Sequence, residues 1–358
     1  MKILLIGGTG VIGTSLLEYI SDSNDVYVTT RHPQKYNNEI TYITGDSLNK
    51  DFIVSILVQY KFDVIVDFMV YKTVDFQNIV KVFLKSCAQY IYVSSYRVFD
   101  SRNGETITEK TQLLLDTFSD IKFQSSDEYS IAKARQERIL TNSGFKNWTI
   151  VRPSITFGLG RLQLFNLEAY HFVPRILQGL PIPIVDGCEA VPCTLTSAND
   201  VGFLISCLIG LPGALSEDFN LTSNGSQTWL EVFNITTKLT GCEIVKISKE
   251  DYEDFGFNQY QLILDRMTPR VCNPNKILSV IADCNFEFEI FENSYKKSLT
   301  KTLELYHNRK LPKFGRFQGV ADRLTIKHSN VNKSISYFIG KSKLLNKIYI
   351  NLTKNRYL

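Results

Sequence analysis

The sequence has little of what metal clusters, disulfide frameworks or membrane spans require. Its seven cysteines (Cys87, Cys188, Cys193, Cys207, Cys242, Cys272 and Cys284) are odd in number, scattered and without a C-x-x-C pair. That pattern argues against a disulfide scaffold or a thiolate metal site. Only four histidines occur, none grouped at ligand spacing, so no metal is expected. No stretch approaches the roughly 18–20 apolar residues needed to cross a bilayer. The first apolar run, Ile3 to Ile6, is short and leads straight into glycines without a small-residue cleavage pattern. No secretory address is expected, and a reducing cytoplasmic location fits. Internal repeats and low-complexity tracts are absent.

What is present is globular in composition, with 44% hydrophobic and 21% charged residues, which excludes wholesale disorder. A chain of 358 residues exceeds the single-core ceiling of roughly 250–300, so a main domain plus a further lobe or tail is expected. The net charge of +4 is unevenly spread: 310–358 holds eleven Lys or Arg and one acid, Asp322, whereas the preceding residues hold 29 basic and 35 acidic side chains. A basic C-terminal extension over 310–358 follows. Such a segment attracts anionic partners, although a solvated or docked extension is the plainer account.

Along the chain, short apolar runs alternate with helical periodicity. Lys2 to Ile6, a strand ending at Val26 to Val28, Ile40 to Ile43, Asp63 to Phe68, Tyr90 to Val93 and Trp148 to Val151 read as strands. Val11 to Ile20, Phe52 to Val58, Ile79 to Leu84 and Ser130 to Leu140 read as helices between them. Strands joined through helices require crossovers, hence an α/β, Rossmann-type doubly wound parallel sheet. The expected organisation is a dinucleotide-binding domain over 1–160 with a return segment near 190–212. A substrate lobe occupies most of 161–305, and 101–127, polar and turn-rich, reads as an active-site loop.

Two motifs carry chemistry. Gly7-Gly-Thr-Gly10-Val-Ile-Gly13 follows the first strand and opens the first helix. Glycines there allow a tight turn, close approach of backbone to a pyrophosphate, and helix–strand packing, with the helix N-terminus facing the phosphates. Gly7, Thr9, Gly10, Val11, Ile12 and Gly13 are the expected contacts. The second strand ends Thr29-Thr30-Arg31-His32 with no carboxylate for ribose hydroxyls. Thr30 and Arg31 suit a 2′-phosphate, which favours NADP over NAD. The other motif is Tyr129-Ser-Ile-Ala-Lys133, whose four-residue spacing puts both side chains on one helical face. An ammonium beside a phenol makes the phenolate accessible for acid–base work. Ser94 and Ser95 end the fifth strand at the sheet edge where such folds bind ligands.

Together these motifs resemble an extended short-chain dehydrogenase/reductase of the NAD(P)-dependent epimerase/dehydratase family, which modifies nucleotide sugars. The likeness covers about 1–305 and includes GGTGVIG, Gly45-Asp46, DVIVDFMVYK, YVSSYRVF, YSIAKARQE, VRPSITFG and DRMTPRVCNPNK. It implies catalytic roles for Ser95, Tyr129 and Lys133. It also implies cofactor contacts from Asp46, Ser47, Phe68, Met69, Lys72, Ser94, Pro153, Ser154 and Ile155, besides Tyr129 and Lys133. Tyr96, Arg97, Arg266 and Arg270 are the implied substrate contacts. The chain departs from the family in carrying Phe68-Met69-Val70 after the fourth strand, where small residues are usual.

The implied reaction is hydride transfer at a sugar carbon, with Tyr129 as acid/base. A 4,6-dehydratase needs an acid and a base directly after the catalytic hydroxyl, where this chain has Tyr96 and Arg97. A 4-epimerase or 4-ketoreductase therefore ranks first. A dehydratase, or a non-catalytic member that senses cofactor or binds RNA, is the alternative. The expected partner is a nucleotide sugar, with no specific nucleic acid. The chain leaves room for a homodimer and for peripheral attachment of the basic tail to membrane, since Leu344, Leu345 and Ile348 share a helical face among lysines. The cofactor fold is expected not to need the tail.

Overall fold

The computed structural model describes residues 1–34, 39–284, 286–309, 311–327 and 331–353, so Lys310 and Lys354 of the basic tail lie outside the described residues. The chain divides into two compact units. One holds 1–156, 194–225 and 272–288; the other holds 157–193, 226–271 and 289–358.

The first unit is built on β1 (Lys2–Ile6), α1 (Val11–Ile20), β2 (Asp25–Thr30), β3 (Ile40–Thr44), α2 (Lys50–Gln59), β4 (Val64–Asp67), α3 (Thr73–Ser86) and β5 (Gln89–Val93). It continues with α4 (Tyr129–Thr141) and β6 (Trp148–Pro153), and Glu217–Leu221 supplies the last strand, β7. The seven strands run parallel in the order β7-β6-β5-β4-β1-β2-β3. Because side chains alternate across a strand, each one feeds two cores. Ile3, Leu5, Val26, Val28, Val64, Val66, Ile91 and Val93 pack with Leu16 and Leu17 of α1 and with Leu204 and Leu208. Leu4, Ile6, Ile65, Tyr90, Tyr92 and Ile150 face the other way, onto Ile53, Phe76, Val80, Phe83 and Leu140. A Cβ on Gly202 would lie 2.8 Å from the Leu16 backbone nitrogen, so glycine lets the Ala198–Leu208 helix seat closely on α1. The loop over 101–127 contains two short helices, Leu114–Thr117 and Ile121–Ser125.

The second unit contains the helices Ala169–Leu177, Trp229–Thr240 and Phe291–His307, and a parallel strand pair, Ile182–Val185 with Ile244–Ile247. The basic extension belongs to this unit and is folded into the helices Arg316–Leu324, Ile335–Lys341 and Lys343–Thr353. The first two cross at glycines: a Cβ on Gly319 would sit 2.0 Å from the Tyr337 carbonyl oxygen, and one on Gly340 would sit 2.1 Å from that of Arg316. Beneath them Arg175 and Asp322, both with fully buried side chains, pair at 2.8 Å. The Tyr337 hydroxyl donates to Asp322 and Gln318 accepts from Arg175. These borders differ from the sequence expectation in three ways. The return segment runs on to 225 and brings a seventh strand, 272–288 also rejoins the first unit, and 310–358 is an integral part of the second unit rather than a separate extension.

Candidate functional site

The glycine turn between β1 and α1 is shaped by what surrounds each Cα. Gly7 adopts φ +69°, in the left-handed region that favours glycine, and its N–H donates to Thr29 Oγ1 at 2.9 Å. A Cβ at Gly7 would meet the Met69 sulfur at 2.7 Å, and one at Gly13 would meet the Gly8 carbonyl oxygen at 2.2 Å. Gly10 is different: a Cβ there would meet nothing within 4 Å. Gly10 is also the N-cap of α1 and offers no side-chain cap, and the first turn has no acid. Unfilled N–H groups, a positive helix end and open space at Gly10 together suit a pyrophosphate.

At the far end of the sheet, β2 stops at Thr30, whose hydroxyl donates to the His32 carbonyl, leaving Arg31 exposed. Asp46 is exposed after β3, and its carboxylate accepts the Leu48 N–H. Ser47 is turned inward and donates to Thr29 Oγ1 at 2.8 Å. Phe68 and Met69 are half-buried after β4, and Lys72 is exposed at the start of α3. Pro153, Ser154 and Ile155 are buried at the end of β6, with the Ser154 and Thr196 hydroxyls 2.6 Å apart.

Tyr129 and Lys133 stand one turn apart on α4, which is capped by the Glu128 carboxylate. Lys133 is 2% exposed. Its Nζ donates to the carbonyls of Met69 at 3.0 Å and Val93 at 2.8 Å, and lies 4.5 Å from the Tyr92 ring centroid. Two of three ammonium donors are thereby fixed on the ends of β4 and β5. Burial pushes the Lys133 pKa down to about 8, opposed by the carboxylates of Asp67 and Glu137. Ser95, directly after β5, accepts the Arg97 N–H through Oγ at 3.3 Å and keeps its own hydrogen to donate. The Arg97 guanidinium pairs with Glu128 at 2.8 Å and lies 5.1 Å from the Tyr129 ring centroid. Strand ends of one sheet and one helix therefore hold a phenol, a buried ammonium and a serine hydroxyl, the groups needed to move a proton at a substrate oxygen.

The fold that holds these groups recurs among known proteins. The family described as NAD(P)H-binding matches residues 7–157. That stretch, which is similar to NAD(P)H-binding domains, covers β2 to β6. The chain shares its fold with solved epimerase and dehydratase structures. It superposes on dTDP-glucose 4,6-dehydratase from Bacillus anthracis, solved with NAD, with TM-score 0.64 and 18% identity over 87% of this chain and 97% of that one. For UDP-glucuronic acid 4-epimerase from Bacillus cereus, solved with UDP-glucuronic acid and NAD, the TM-score is 0.66 at 15% identity, covering 86% and 100%. A curated Arabidopsis thaliana protein, chloroplast stem-loop binding protein of 41 kDa b, is 25% identical over 274 residues, 71% of this chain and 68% of its own length.

Within the first unit several residues matter that the sequence did not single out. Asp67, fully buried, accepts the Met69 N–H at 2.9 Å and the hydroxyls of Tyr90 and Tyr71 at 2.7 and 3.0 Å. It thus fixes the peptide whose carbonyl holds Lys133. Burial raises its pKa. An acid inside an apolar strand was the available signal. Glu128 carries no such signal, because its partner Arg97 is distant in sequence. Tyr96 is 2% exposed, Arg266 3% and Arg270 0%, so none presents an open side chain. Arg266 and Arg270 belong to the second unit. Arg266 pairs with Asp265 and donates to the Phe165 carbonyl, while Arg270 donates to that of Leu264 and lies 3.6 Å from Asp265. Arg97 is also already paired, with Glu128. For the three arginines the guanidinium thus meets an acid or a carbonyl of its own unit. Among the described residues no group of acids, histidines and cysteines could hold a metal ion.

Proposed function

We propose that the chain is an NAD(P)-dependent nucleotide-sugar 4-epimerase or 4-ketoreductase acting in the cytoplasm. The observation that carries this reading is the fixed Lys133 ammonium one helical turn from Tyr129, on the same sheet edge as Ser95. In this reading Tyr129 takes the proton from a sugar hydroxyl, or returns it, and Ser95 donates to the reacting oxygen. Lys133 favours the phenolate through its charge, while Asp67 keeps the Met69 peptide, and with it Lys133, in place. The cofactor, when bound, supplies or takes up the hydride. Its pyrophosphate is assigned to the α1 N-terminus at Gly10 and its adenosine end to Arg31 and Asp46. The lack of a carboxylate at the end of β2 beside an exposed Arg31 favours NADP.

A dehydratase ranks lower because the two positions after Ser95 hold a buried phenol and a guanidinium paired with Glu128. The name of the Arabidopsis relative and the basic tail support a second reading, a stem-loop RNA binder. Incubation with a panel of UDP- and dTDP-sugars and NADP or NAD, followed by mass spectrometry of sugar and cofactor, tests the first reading. An epimerase turns over without net cofactor consumption, and a reductase consumes NADPH stoichiometrically. No conversion of any sugar, together with tight binding of a stem-loop RNA, would support the second.

A further inference from the structure

The outer surface of the C-terminal helices has a chemistry the proposed activity does not use. In the Lys343–Thr353 helix the inward side is Asn346, fully buried, with Ile350. The Asn346 side chain accepts from Arg316 at 2.8 Å and donates to the Asp254 carbonyl at 2.7 Å, and Ile350 lies against Gly256. The helix is therefore seated through that side. At 100° per residue the opposite side carries Leu344, Ile348 and Leu352, flanked by Leu345. These four are 71, 49, 79 and 49% exposed in that order. Lys343 and Lys347 are exposed on one flank of the stripe. The neighbouring helix adds Ile335 and Phe338, 86 and 58% exposed and three residues apart. From Arg323 to Leu358 the sequence has eight Lys or Arg and no Asp or Glu. The only acid of the tail, Asp322, is consumed by Arg175 and Tyr337.

We propose that this face docks on an anionic lipid surface. A row of four aliphatic side chains on a convex helix, edged by lysines and without a carboxylate, suits the boundary between acyl chains and acidic headgroups. The apolar side chains are buried there while the cations stay among phosphates. The same uniform positive charge opposes apposition of two such tails in a homodimer. No described helix is long and apolar enough to cross a membrane, so the attachment is peripheral. Docking of the inward side is what makes it possible, because it presents the stripe outward on a fixed frame.

The test is flotation of the full chain with phosphatidylcholine vesicles with and without about one-third phosphatidylglycerol. The expected result is flotation with the anionic vesicles that is lost at high salt. Lys343→Gln with Lys347→Gln should weaken binding about thirtyfold, the equivalent of ~1 kcal/mol per cation. Leu344→Glu with Ile348→Glu should abolish it, with the far-UV circular dichroism spectrum and cofactor binding unchanged, since both positions are exposed. Failure of the full chain to float at low salt would overturn the proposal. So would equal binding to neutral vesicles, or a stable dimer that the Leu344/Ile348 variant dissolves in the absence of any vesicle binding. Salt-sensitive binding of RNA that survives the Leu344/Ile348 variant, without flotation, would assign the charge to nucleic acid instead.

Discussion

Removing the Asp322 carboxylate should destabilise the second unit far more than an ordinary surface change. The Arg175 guanidinium is fully buried, and its Nη1 meets Asp322 at 2.8 Å and Gln318 at 3.0 Å, while Nε donates to the Pro181 carbonyl at 2.6 Å. Asp322→Ala leaves that cation without a counter-charge, which costs about 3–5 kcal/mol. It also strips the buried Tyr337 hydroxyl of its acceptor, for about 1 kcal/mol more. For a unit of this size each kcal/mol lowers Tm by roughly 2–4 °C, so a fall of about 8–24 °C is expected. The double variant Arg175→Met with Asp322→Leu replaces the pair by apolar groups and should recover most of the loss. Urea and thermal unfolding followed by near-UV circular dichroism measure both. A single variant within about 0.5 kcal/mol of the parent would refute the claim that the basic tail is anchored by this pair. The same reasoning makes a chain ending at Asn308 unstable in its second unit, contrary to what the tail's composition alone suggests.

Three further outcomes follow from the site. Lys133 acts as an ammonium whose pKa burial lowers to about 8, so kcat/KM should fall as pH rises through that value, and an alkaline limb only above pH 10 would contradict it. Because the folded chain gives up this proton at lower pH than the unfolded chain, the cost of burying the charge is present below about 8 and fades as pH rises towards 10.5. Gly10→Ala should leave stability within about 0.5 kcal/mol and weaken cofactor binding, whereas Gly13→Ala, pressed on the Gly8 carbonyl, should cost about 1–3 kcal/mol. Calorimetric titration and melting separate the two, and the reverse order would disprove the assignment. Arg31→Glu should weaken NADP by at least about tenfold more than NAD, and equal loss of both in fluorescence titrations would remove the 2′-phosphate reading.

Much of the first unit was legible because its signals are local. Apolar runs of four or five residues between helical patterns marked β1 to β6, and the glycine turn and the Tyr129–Lys133 spacing each fit within one short segment. What escaped reading depends on distant partners. The strand Glu217–Leu221 begins with two acids and buries only alternate apolar side chains, Phe219 and Leu221, in the core beside α1, so its sequence resembles a loop. Asp67 acquires its meaning from Tyr71, Tyr90 and the Met69 peptide. Arg266 and Arg270 carry the right charge for a phosphate, yet each is bonded within its own unit. The tail's composition shows a charge excess and an apolar helical face, but not that its one acid, Asp322, anchors it on Arg175.

Everything proposed for the chemistry turns on Tyr129, one helical turn from the Lys133 ammonium, moving the proton at the substrate oxygen. The most direct measurement is single-turnover conversion of an accepted nucleotide sugar by Tyr129→Phe, with cofactor binding and melting recorded on the same sample. The fold and cofactor affinity should be unchanged, with a rate lower by about 10²–10⁴-fold. A folded, cofactor-bound Tyr129→Phe enzyme that turns over at the parent rate would contradict it.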